Sequence, residues 1–477
     1  MPHWPTDDAA QHIKDDPVFW GLLLLLVWAP LPLGSNRFWA AGLLLVMVLL
    51  LLLGSLLSWW HHPGTAWLRI KTFRWPLSLM GLMVLLSWLQ TLPLPPTWVA
   101  FLSPMAAAAQ SPAKLMTLSL DVYQARFIAT LSFVYFGVFL VSVLTVQSHQ
   151  RLGTLAHALV WSGVFQAVFA AVMWSVHAKY QVFYVDISHN DAIGTFVNRN
   201  HLAGYLCMCL SVGIGLMLAK LGHVRRSPSN WRARLVNLLE FILSAKMRLR
   251  LLLIVMVIAL VLTRSRMGNS AFFSAMLVVG ALAVVLARKT APHTIVLIAS
   301  LVVIDIFVVG TWVGLEKVVE RVQGTTLMTV EGGVSESIEA RSEAARTALS
   351  IIKDYPLFGT GGGSFYNIFL SYRTPNYGYN YVDHAHNDYV EIATDFGLLG
   401  LGILGLLVAL SLWTVVKVMA TRRSPLPWGI AFGVAMSMVA MLIHSTVDFN
   451  LQIPSNALTM VVILSMGWVA KTLPRGT

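Results

Sequence analysis

Long apolar runs separated by short polar segments form the dominant pattern of this chain. A helix that rises 1.5 Å per residue needs about 20 apolar residues to cross ~30 Å of hydrocarbon. The pattern therefore predicts an all-α polytopic membrane protein with about twelve transmembrane helices. The predicted spans are 17–33, 38–59, 74–91, 126–146, 153–176, 200–220, 249–264, 267–287, 294–314, 388–416, 427–446 and 454–471.

One polar segment, residues 315–385, is much longer than the others, and we expect it to be the only extramembrane piece large enough to fold. This predicts three parts: residues 1–314 with the first nine spans, the loop 315–385, and residues 386–477 with the last three spans. The composition agrees with membrane insertion, since 57% of the residues are hydrophobic and only 11% are charged.

Within the long loop, Ile338, Ala345, Leu349 and Ile352 have near-helical spacing. This spacing predicts a short amphipathic helix, which Pro356 ends. A glycine-rich segment, "GTGGG", follows. A nucleotide phosphate loop is one interpretation, but no Lys-Ser/Thr follows the glycines and no strand precedes them. A turn whose glycines permit positive φ and close packing is favoured.

Alternate loops differ strongly in basic residues, and the formal net charge is +12. One side carries about twenty Lys and Arg residues and the other about seven, so the positive-inside rule makes the first side, with both termini, cytoplasmic. The acidic flank of the first span, without a small-residue cleavage site, indicates a retained helix rather than a signal peptide. Anionic lipid explains the basic loops better than nucleic acid does, so no nucleic-acid partner is expected.

Arginines stand at the predicted outer ends of two neighbouring spans. "GTFVNRNHLAGYL" places Arg199, Asn200 and His201 at the mouth of the sixth span, and "LVLTRSRMG" places Arg264 and Arg266 at the end of the short seventh. An arginine at headgroup depth is costly unless it lines a polar cavity or meets an anion. Snorkelling to lipid phosphate explains one arginine; Arg199 and Arg266 together favour a shaped anion site, since guanidinium groups bind pyrophosphate oxygens bidentately.

A polar segment, "DHAHND", precedes the tenth span. A helix from His386 would place Tyr389, Val390, Ala393 and Gly397 on one face. A helix N-terminus lowers the pKa of a histidine and favours neutral imidazole, which accepts a proton or a hydrogen bond. The alternative is a cap or an ordinary surface histidine.

Asp383, His384, His386 and Asp388 also have the side chains of metal ligands. We do not favour a metal site, because no second cluster supplies further ligands at a recognisable spacing. A membrane metalloprotease is equally unsupported, since the chain has no HExxH-like pair.

These segments together resemble a known family. "HN" at 386–387, followed by Gly397 within "DFGLLGLG", resembles the signature of the bacterial O-antigen ligase and Wzy-type polymerase superfamily. "NRNHLAGYL", "TRSRMG" and "RSEAARTALSIIKDYPLFGTGGGSF" are similar to segments that recur there in the same order. The motifs cover roughly residues 190–405, and the topology covers the whole chain.

The resemblance implies an inner-membrane glycosyltransferase of GT-C type, without cofactor, nucleotide sugar or metal. The donor would be a glycan on undecaprenyl pyrophosphate at the periplasmic face. The acceptor would be lipid A–core (ligase) or another lipid-linked glycan (polymerase). By motif match, His386 would be the essential histidine, and Arg266, Arg199 and Arg341 the family arginines. Arg264 has no counterpart in the family motif, but we count it with these three as a pyrophosphate-binding arginine whose own role stays open. The supporting residues are Asn387, Asp383, His384, Asp388, Asn200 and His201.

The chemistry of these residue types fits such a reaction. Arginines would stabilise the negative charge of a departing pyrophosphate, and His386 would orient and deprotonate the acceptor hydroxyl, with inversion of the anomeric carbon. A flippase or transporter is the main non-enzymatic alternative. Ion-coupled transporters usually carry ionisable residues near the midplane of the membrane. Here the predicted spans are nearly free of such residues, with Asp305 as the conspicuous exception, which favours an enzyme. The sugar, the acceptor and a chain-length regulator as partner stay open.

Overall fold

The computed structural model describes residues 16–60, 63–184, 191–220, 244–286, 338–373 and 382–474. Over these ranges the regular secondary structure is helical, and an isolated β-bridge joins Leu94 and Met116. The all-α prediction is confirmed for this part of the chain.

The helices are numbered here in chain order over the described ranges. The first eight are α1 (Pro17–Trp28), α2 (Phe38–Trp59), α3 (Pro63–Thr72), α4 (Arg74–Leu89), α5 (Pro96–Leu102), α6 (Pro104–Gln110), α7 (Val122–Thr145) and α8 (His149–Ser175). The next eight are α9 (Arg199–Ala219), α10 (Ala245–Leu262), α11 (Arg266–Leu286), α12 (Ile338–Asp354), α13 (Phe365–Tyr372), α14 (Asp388–Thr421), α15 (Pro425–His444) and α16 (Pro454–Thr472).

Seven helices in the described part of the chain are long and apolar enough to cross a membrane: α2, α7, α8, α9, α11, α14 and α15. The pair α3 and α4, bent by 84°, makes an eighth if it counts as one span. Two other predicted spans do not count among these helices. α1 has only 12 residues, and α10 carries three basic residues, Lys246, Arg248 and Arg250, near its start. The predicted span 294–314, with Asp305, lies outside the described residues. A polytopic membrane protein is therefore supported, whereas the number twelve stays a prediction.

α9 is buried along almost its whole length and packs most extensively against α15. Glycines make this contact possible. A Cβ on Gly215 would collide with the backbone carbonyl of Gly429, so the two helix backbones touch directly. Small residues at helix interfaces in membranes allow this close approach. α9 thus forms a fixed central helix, and its first residue is Arg199.

A second, smaller core lies outside the transmembrane helices. It joins α5 and α6 to α12 and α13. The prediction that 315–385 is the only extramembrane piece to fold is therefore wrong, since residues 92–121 contribute to the same core. The buried side chains of this core come from both segments. The buried residues are Val99, Ala106, Met116, Leu118, Ala344, Ala348, Ile351, Tyr355, Phe365, Phe369 and Ala385.

The amphipathic helix of the long loop is present as α12, and it ends before Pro356 as predicted. Its buried stripe differs from the predicted one. Ala344, Ala348 and Ile351 are buried, whereas Leu349 is 48% exposed. Alanines let the helix approach its neighbours closely, so the contact uses the face with the smaller side chains rather than the bulkier aliphatic one.

Candidate functional site

The glycine-rich segment lies against α14. Gly359, Gly361 and Gly363 have φ values of 69°, 107° and 72°, a region that only glycine enters freely. The amide of Gly361 donates to the carbonyl of Asp395 at 3.0 Å, and the amide of Gly363 donates to the Asp395 carboxylate at 2.7 Å. These contacts confirm the packing-turn interpretation of the glycines. Their amides bind this chain rather than an external phosphate.

α14 is interrupted where the glycine segment meets it. Gly397 has a φ of 66°, and a Cβ there would collide with the backbone of Leu357. The amide of Leu398 donates to the carbonyl of Pro356 at 2.8 Å, which compensates for the broken helical bond. The prediction that Gly397 continues one helical face from His386 is therefore wrong. Gly397 permits a break at which the loop backbone enters the helix.

Gln90, at the end of α4, fixes this junction. Its side-chain amide donates to the carbonyls of Phe358 and Asp395 at 2.7 and 2.8 Å. Its Oε1 accepts from the amide of Gly362 at 3.3 Å. Because Gln90 is fully buried, losing these bonds would leave several polar groups unpaired. The first part of α14 is thus held rigidly against α4 and the extramembrane core.

α14 begins at Asp388 rather than at His386. Asn387 is its N-cap, and its Oδ1 accepts from the amides of Tyr389 and Val390 at 3.0 and 3.1 Å. The Asn387 amide nitrogen also donates to the Thr446 carbonyl at 2.9 Å. His386 therefore precedes the cap, outside the helix.

His386 lies in a backbone conformation with a φ of 48°. Such a conformation costs a non-glycine residue on the order of 1 kcal/mol and occurs often at functional sites. Half-buried beside the helix start, His386 is held there by its neighbours rather than by local preference.

Three histidines surround the ring of Phe449, in the connection between α15 and α16. His384 stacks on this ring with centroids 3.9 Å apart. His386 and His201 meet it edge-on at 5.1 and 4.8 Å. Sequence reasoning missed Phe449; the signal was the polar segment "HSTVDFN" between the last two apolar runs. We call His201, His384, His386 and Phe449 the histidine cluster.

His384 forms an ion pair with Glu391, which sequence reasoning also missed. Its Nδ1 donates to Glu391 Oε1 at 2.6 Å, and the amide of Ala385 donates to Oε2 at 2.9 Å. Burial alone would lower the pKa of His384, but the charge and hydrogen bond of Glu391 outweigh it, with a contribution from exposed Asp383, and raise this pKa to about 9. His384 is therefore cationic at neutral pH.

Asp388 fixes the start of α14 to the α15–α16 connection. Its Oδ2 accepts from the hydroxyl of Ser445 at 2.7 Å and from the amide of Leu451 at 3.3 Å. Its own amide donates to the Ser445 carbonyl at 3.0 Å. Asp388 is 1% exposed. These contacts give it a positioning role, because they hold the Phe449 connection beside His386.

Two of the predicted arginines share one acid. Arg199 lies 2.5 Å from Oδ2 of Asp191, and Arg264 lies 3.8 Å from Oδ1 of the same carboxylate. The side chains of Arg199 and Arg264 remain 40% and 43% exposed. Asp191 was not predicted, although it stands in the polar segment directly before "GTFVNRN".

Arg266 opens α11 close to the start of α9. A Cβ on Gly268 would lie 2.6 Å from the Cβ of Ala203, and the thiol of Cys207 donates to the Gly268 carbonyl at 3.4 Å. The first turns of the two helices therefore touch, which brings Arg199 and Arg266 to the same end of the bundle. Arg266 is exposed and has no ion pair within the described ranges.

The arginine and histidine groups are joined through α9. His201 follows Arg199 by two residues and contacts Phe449, and its carbonyl accepts from the side-chain amide of Asn456 at 3.0 Å. Asn200 is buried, and its backbone amide donates to the side chain of Asn198 at 2.8 Å. The structure thus brings most predicted site residues to one end of the bundle. Arg341 lies in α12, but its side chain is outside the described part.

The metal alternative finds no geometric support. Within the described residues, no three His, Cys, Asp or Glu side chains form a group that could hold a metal ion. His384 pairs with Glu391, and Asp388 pairs with Ser445.

Comparison with known proteins gives one positive result. No curated protein matches the chain. Residues 251–405 match the family model described as O-antigen ligase. This stretch contains Arg264, Arg266, Arg341 and His386, whereas Arg199 precedes it. The match supports the resemblance seen in the motifs: residues 251–405 are similar to the O-antigen ligase family, within the superfamily of O-antigen ligases and Wzy-type polymerases.

Proposed function

We propose that this protein is an inner-membrane glycosyltransferase of the O-antigen ligase type. It moves a glycan from undecaprenyl pyrophosphate to an acceptor hydroxyl at the periplasmic face. The observation that carries the proposal is the Phe449 ring, which contacts both His386, before α14, and His201, in the first turn of the helix that Arg199 opens. A histidine for the acceptor and arginines for the leaving group thus belong to one end of one rigid bundle.

The arginines serve the leaving group. Breaking a sugar–phosphate bond leaves a pyrophosphate with growing negative charge, and fixed cations stabilise that charge by several kcal/mol. Arg266, without an ion pair among the described residues, offers its whole guanidinium to two phosphate oxygens. The Asp191 carboxylate holds Arg199 and Arg264 in place through its ion pairs with both guanidinium groups. Arg264 thereby gains a role that its motif did not assign.

The two histidines before α14 have different roles. His384, paired with Glu391, is already protonated at neutral pH and cannot accept a proton. His386 is the histidine that orients the acceptor hydroxyl and removes its proton as the bond to the anomeric carbon forms. Attack opposite the departing pyrophosphate inverts that carbon. No step requires a metal or a cofactor.

A Wzy-type polymerase is the second candidate, since the superfamily contains both activities and both would use the same donor. Ligase and polymerase differ only in the acceptor: lipid A–core or a second lipid-linked repeat unit. Membrane lipids surround the site in either case, and a chain-length regulator would act only on a polymerase.

Purified protein with a defined undecaprenyl-pyrophosphate repeat unit, resolved by gel and mass, tests the proposal. A ladder of longer lipid-linked glycans from the donor alone establishes a polymerase. Transfer only after addition of lipid A–core establishes a ligase. If no glycan is transferred to either acceptor and the protein moves a labelled lipid across a liposome membrane, the protein is a flippase and the proposal is refuted.

A further inference from the structure

A cavity of about 1040 Å³ lies at the other end of the bundle from the histidine cluster. It is formed where α8 begins, α9 ends, α14 ends and α15 begins. α9 runs from Arg199 to this cavity over 21 residues, which corresponds to about 30 Å of helix. The cavity and the candidate site are therefore separated by about one hydrocarbon thickness.

The cavity wall is basic. Lys220 and Arg423 provide an ammonium and a guanidinium group, and His149 and His157 provide two imidazoles. Among the residues that the structure describes, the lining contains no aspartate or glutamate. Within the described ranges neither Lys220 nor Arg423 has an ion pair. Arg422, by contrast, donates to the carbonyl of Leu473 and so fixes the end of α16. The positive charge of the cavity is left without a counterion from these residues.

His157 and Lys220 form a hydrogen-bonded pair that orients the lysine. Nδ1 of His157 lies 2.7 Å from the carbonyl of Gly153, and Nε2 lies 3.2 Å from Nζ of Lys220. A carbonyl only accepts and an ammonium only donates. Nδ1 of His157 therefore donates to the Gly153 carbonyl, and Nε2 accepts from Lys220. The two other ammonium protons of Lys220 stay available for a ligand.

The pKa of Lys220 is lowered, first by burial and then by the charge of Arg248. Burial and the neighbouring charge of Arg248 both disfavour the cationic form of Lys220, and a bound anion would stabilise it. The rest of the wall is apolar, with Leu216, Ala219, Leu426 and Pro427 beside the basic groups. A cationic mouth on an apolar wall between membrane helices suits a phosphate carried by an amphiphile.

We propose that this cavity is a binding site for a phosphate group, held by Lys220 and Arg423 at the membrane face opposite the candidate reaction site. The phosphate of an anionic phospholipid and free inorganic phosphate have the same chemistry at these two residues. The apolar wall favours the phospholipid. The proposal does not depend on the glycosyl-transfer activity.

The test uses the full-length, delipidated protein in detergent. Phosphatidylglycerol, phosphatidylcholine and inorganic phosphate are titrated separately with native mass spectrometry as the readout. The cavity variant is Lys220→Gln with Arg423→Gln. The matched control is Lys417→Gln with Lys471→Gln, which removes the same charge at the same end of the bundle but outside the cavity lining. Arg423 is exposed, so Arg423→Glu alone replaces the double variant if the latter fails to fold.

The wild type is expected to bind phosphatidylglycerol in preference to phosphatidylcholine. The cavity variant should lose about tenfold or more of this affinity, and the control should stay within about twofold. If instead inorganic phosphate binds with the same dependence on Lys220 and Arg423 while phosphatidylglycerol does not, the phosphate site stands and its source is soluble. The proposal is overturned if the cavity variant binds phosphatidylglycerol and inorganic phosphate as well as the control and the wild type do.

Discussion

Glu391 accepts a hydrogen bond from Nδ1 of His384 at 2.6 Å, one turn into α14. This pair keeps His384 protonated at neutral pH and orients the flat face of His384 against Phe449. The ring of Phe449 in turn meets the edge of His386 at 5.1 Å. The buried carboxylate of Glu391 thus positions the proposed base, His386, through the two aromatic contacts of Phe449.

The His384–Glu391 pair should make stability depend on pH. The pKa of His384 is raised from 6.5 to about 9 in the folded protein, so the pair's stabilisation is complete below pH 6.5 and is lost as the pH rises through 9. Glu391→Gln removes it, and the variant should be less stable by about 1–3 kcal/mol at pH 6.5. Thermal unfolding in detergent at pH 6.5, 8 and 9.5 measures the difference.

The direction of this pH dependence is the part of the prediction that tests the ion pair most directly. The gap between wild type and Glu391→Gln should narrow towards pH 9.5, because neutral His384 gains little from a carboxylate. A gap that stays constant or widens with pH would show that the pair does not carry a charged histidine.

Gly397 should be irreplaceable, unlike a glycine further along the same helix. Gly397→Ala adds a Cβ that collides with Leu357 in a conformation that disfavours L-residues, and we expect a loss of about 2–4 kcal/mol. Gly402→Ala is the matched control, because nothing lies within 4 Å of a Cβ there. It should be neutral or stabilising by up to ~1 kcal/mol. Similar melting temperatures for the two variants would contradict the structure of the helix break.

Phe449 should matter through its shape. Phe449→Leu removes the flat ring between His384 and His386 while keeping an apolar side chain, so kcat should fall about tenfold with a smaller change in KM. Phe449→Tyr keeps the ring and should retain most activity. Steady-state kinetics on purified, folded variants separate the two. Equal kcat values for leucine and tyrosine would mean that the ring does not position the histidines.

Arg266 should stabilise the leaving pyrophosphate through paired hydrogen bonds from its planar guanidinium group. Arg266→Ala should lower kcat/KM by about 10²–10³-fold, and Arg266→Lys should recover less than about tenfold of that loss, because lysine cannot bind two phosphate oxygens in the same plane. Arg126→Ala, an exposed arginine near the start of α7, is the control and should be active. Full activity of Arg266→Lys would reduce the role of Arg266 to that of a point charge.

The apolar pattern was sufficient for the long helices but not for their interruptions. Residues 38–59 are both the predicted span and the observed α2, because length and hydropathy alone define such a helix. The break at Gly397 lies inside an apolar run, where one residue with positive φ leaves no trace in hydropathy. The buried stripe of α12 was shifted because neighbouring faces are both rich in alanine and aliphatic residues.

The site was predictable as a set of residue types but not as a set of contacts. His386, Arg199 and Arg266 stood out because polar groups at the ends of apolar spans are costly. Phe449 and Asp191 did not, since an aromatic or acidic residue in a short loop is ordinary until its partners are known. Their partners lie in other helices or connections, so only the folded chain shows the contact.

The most direct measurement is single-turnover transfer of a labelled glycan from undecaprenyl pyrophosphate by purified wild-type protein and His386→Ala, with each acceptor. His177→Asn, an exposed histidine at the end of α8, controls for loss of a histidine, since asparagine tolerates the positive φ found there. Transfer by the wild type and His177→Asn, with a loss of about 10²-fold or more in folded His386→Ala, is the predicted result. Retained turnover in His386→Ala, or no transfer by the wild type with either acceptor, would contradict it.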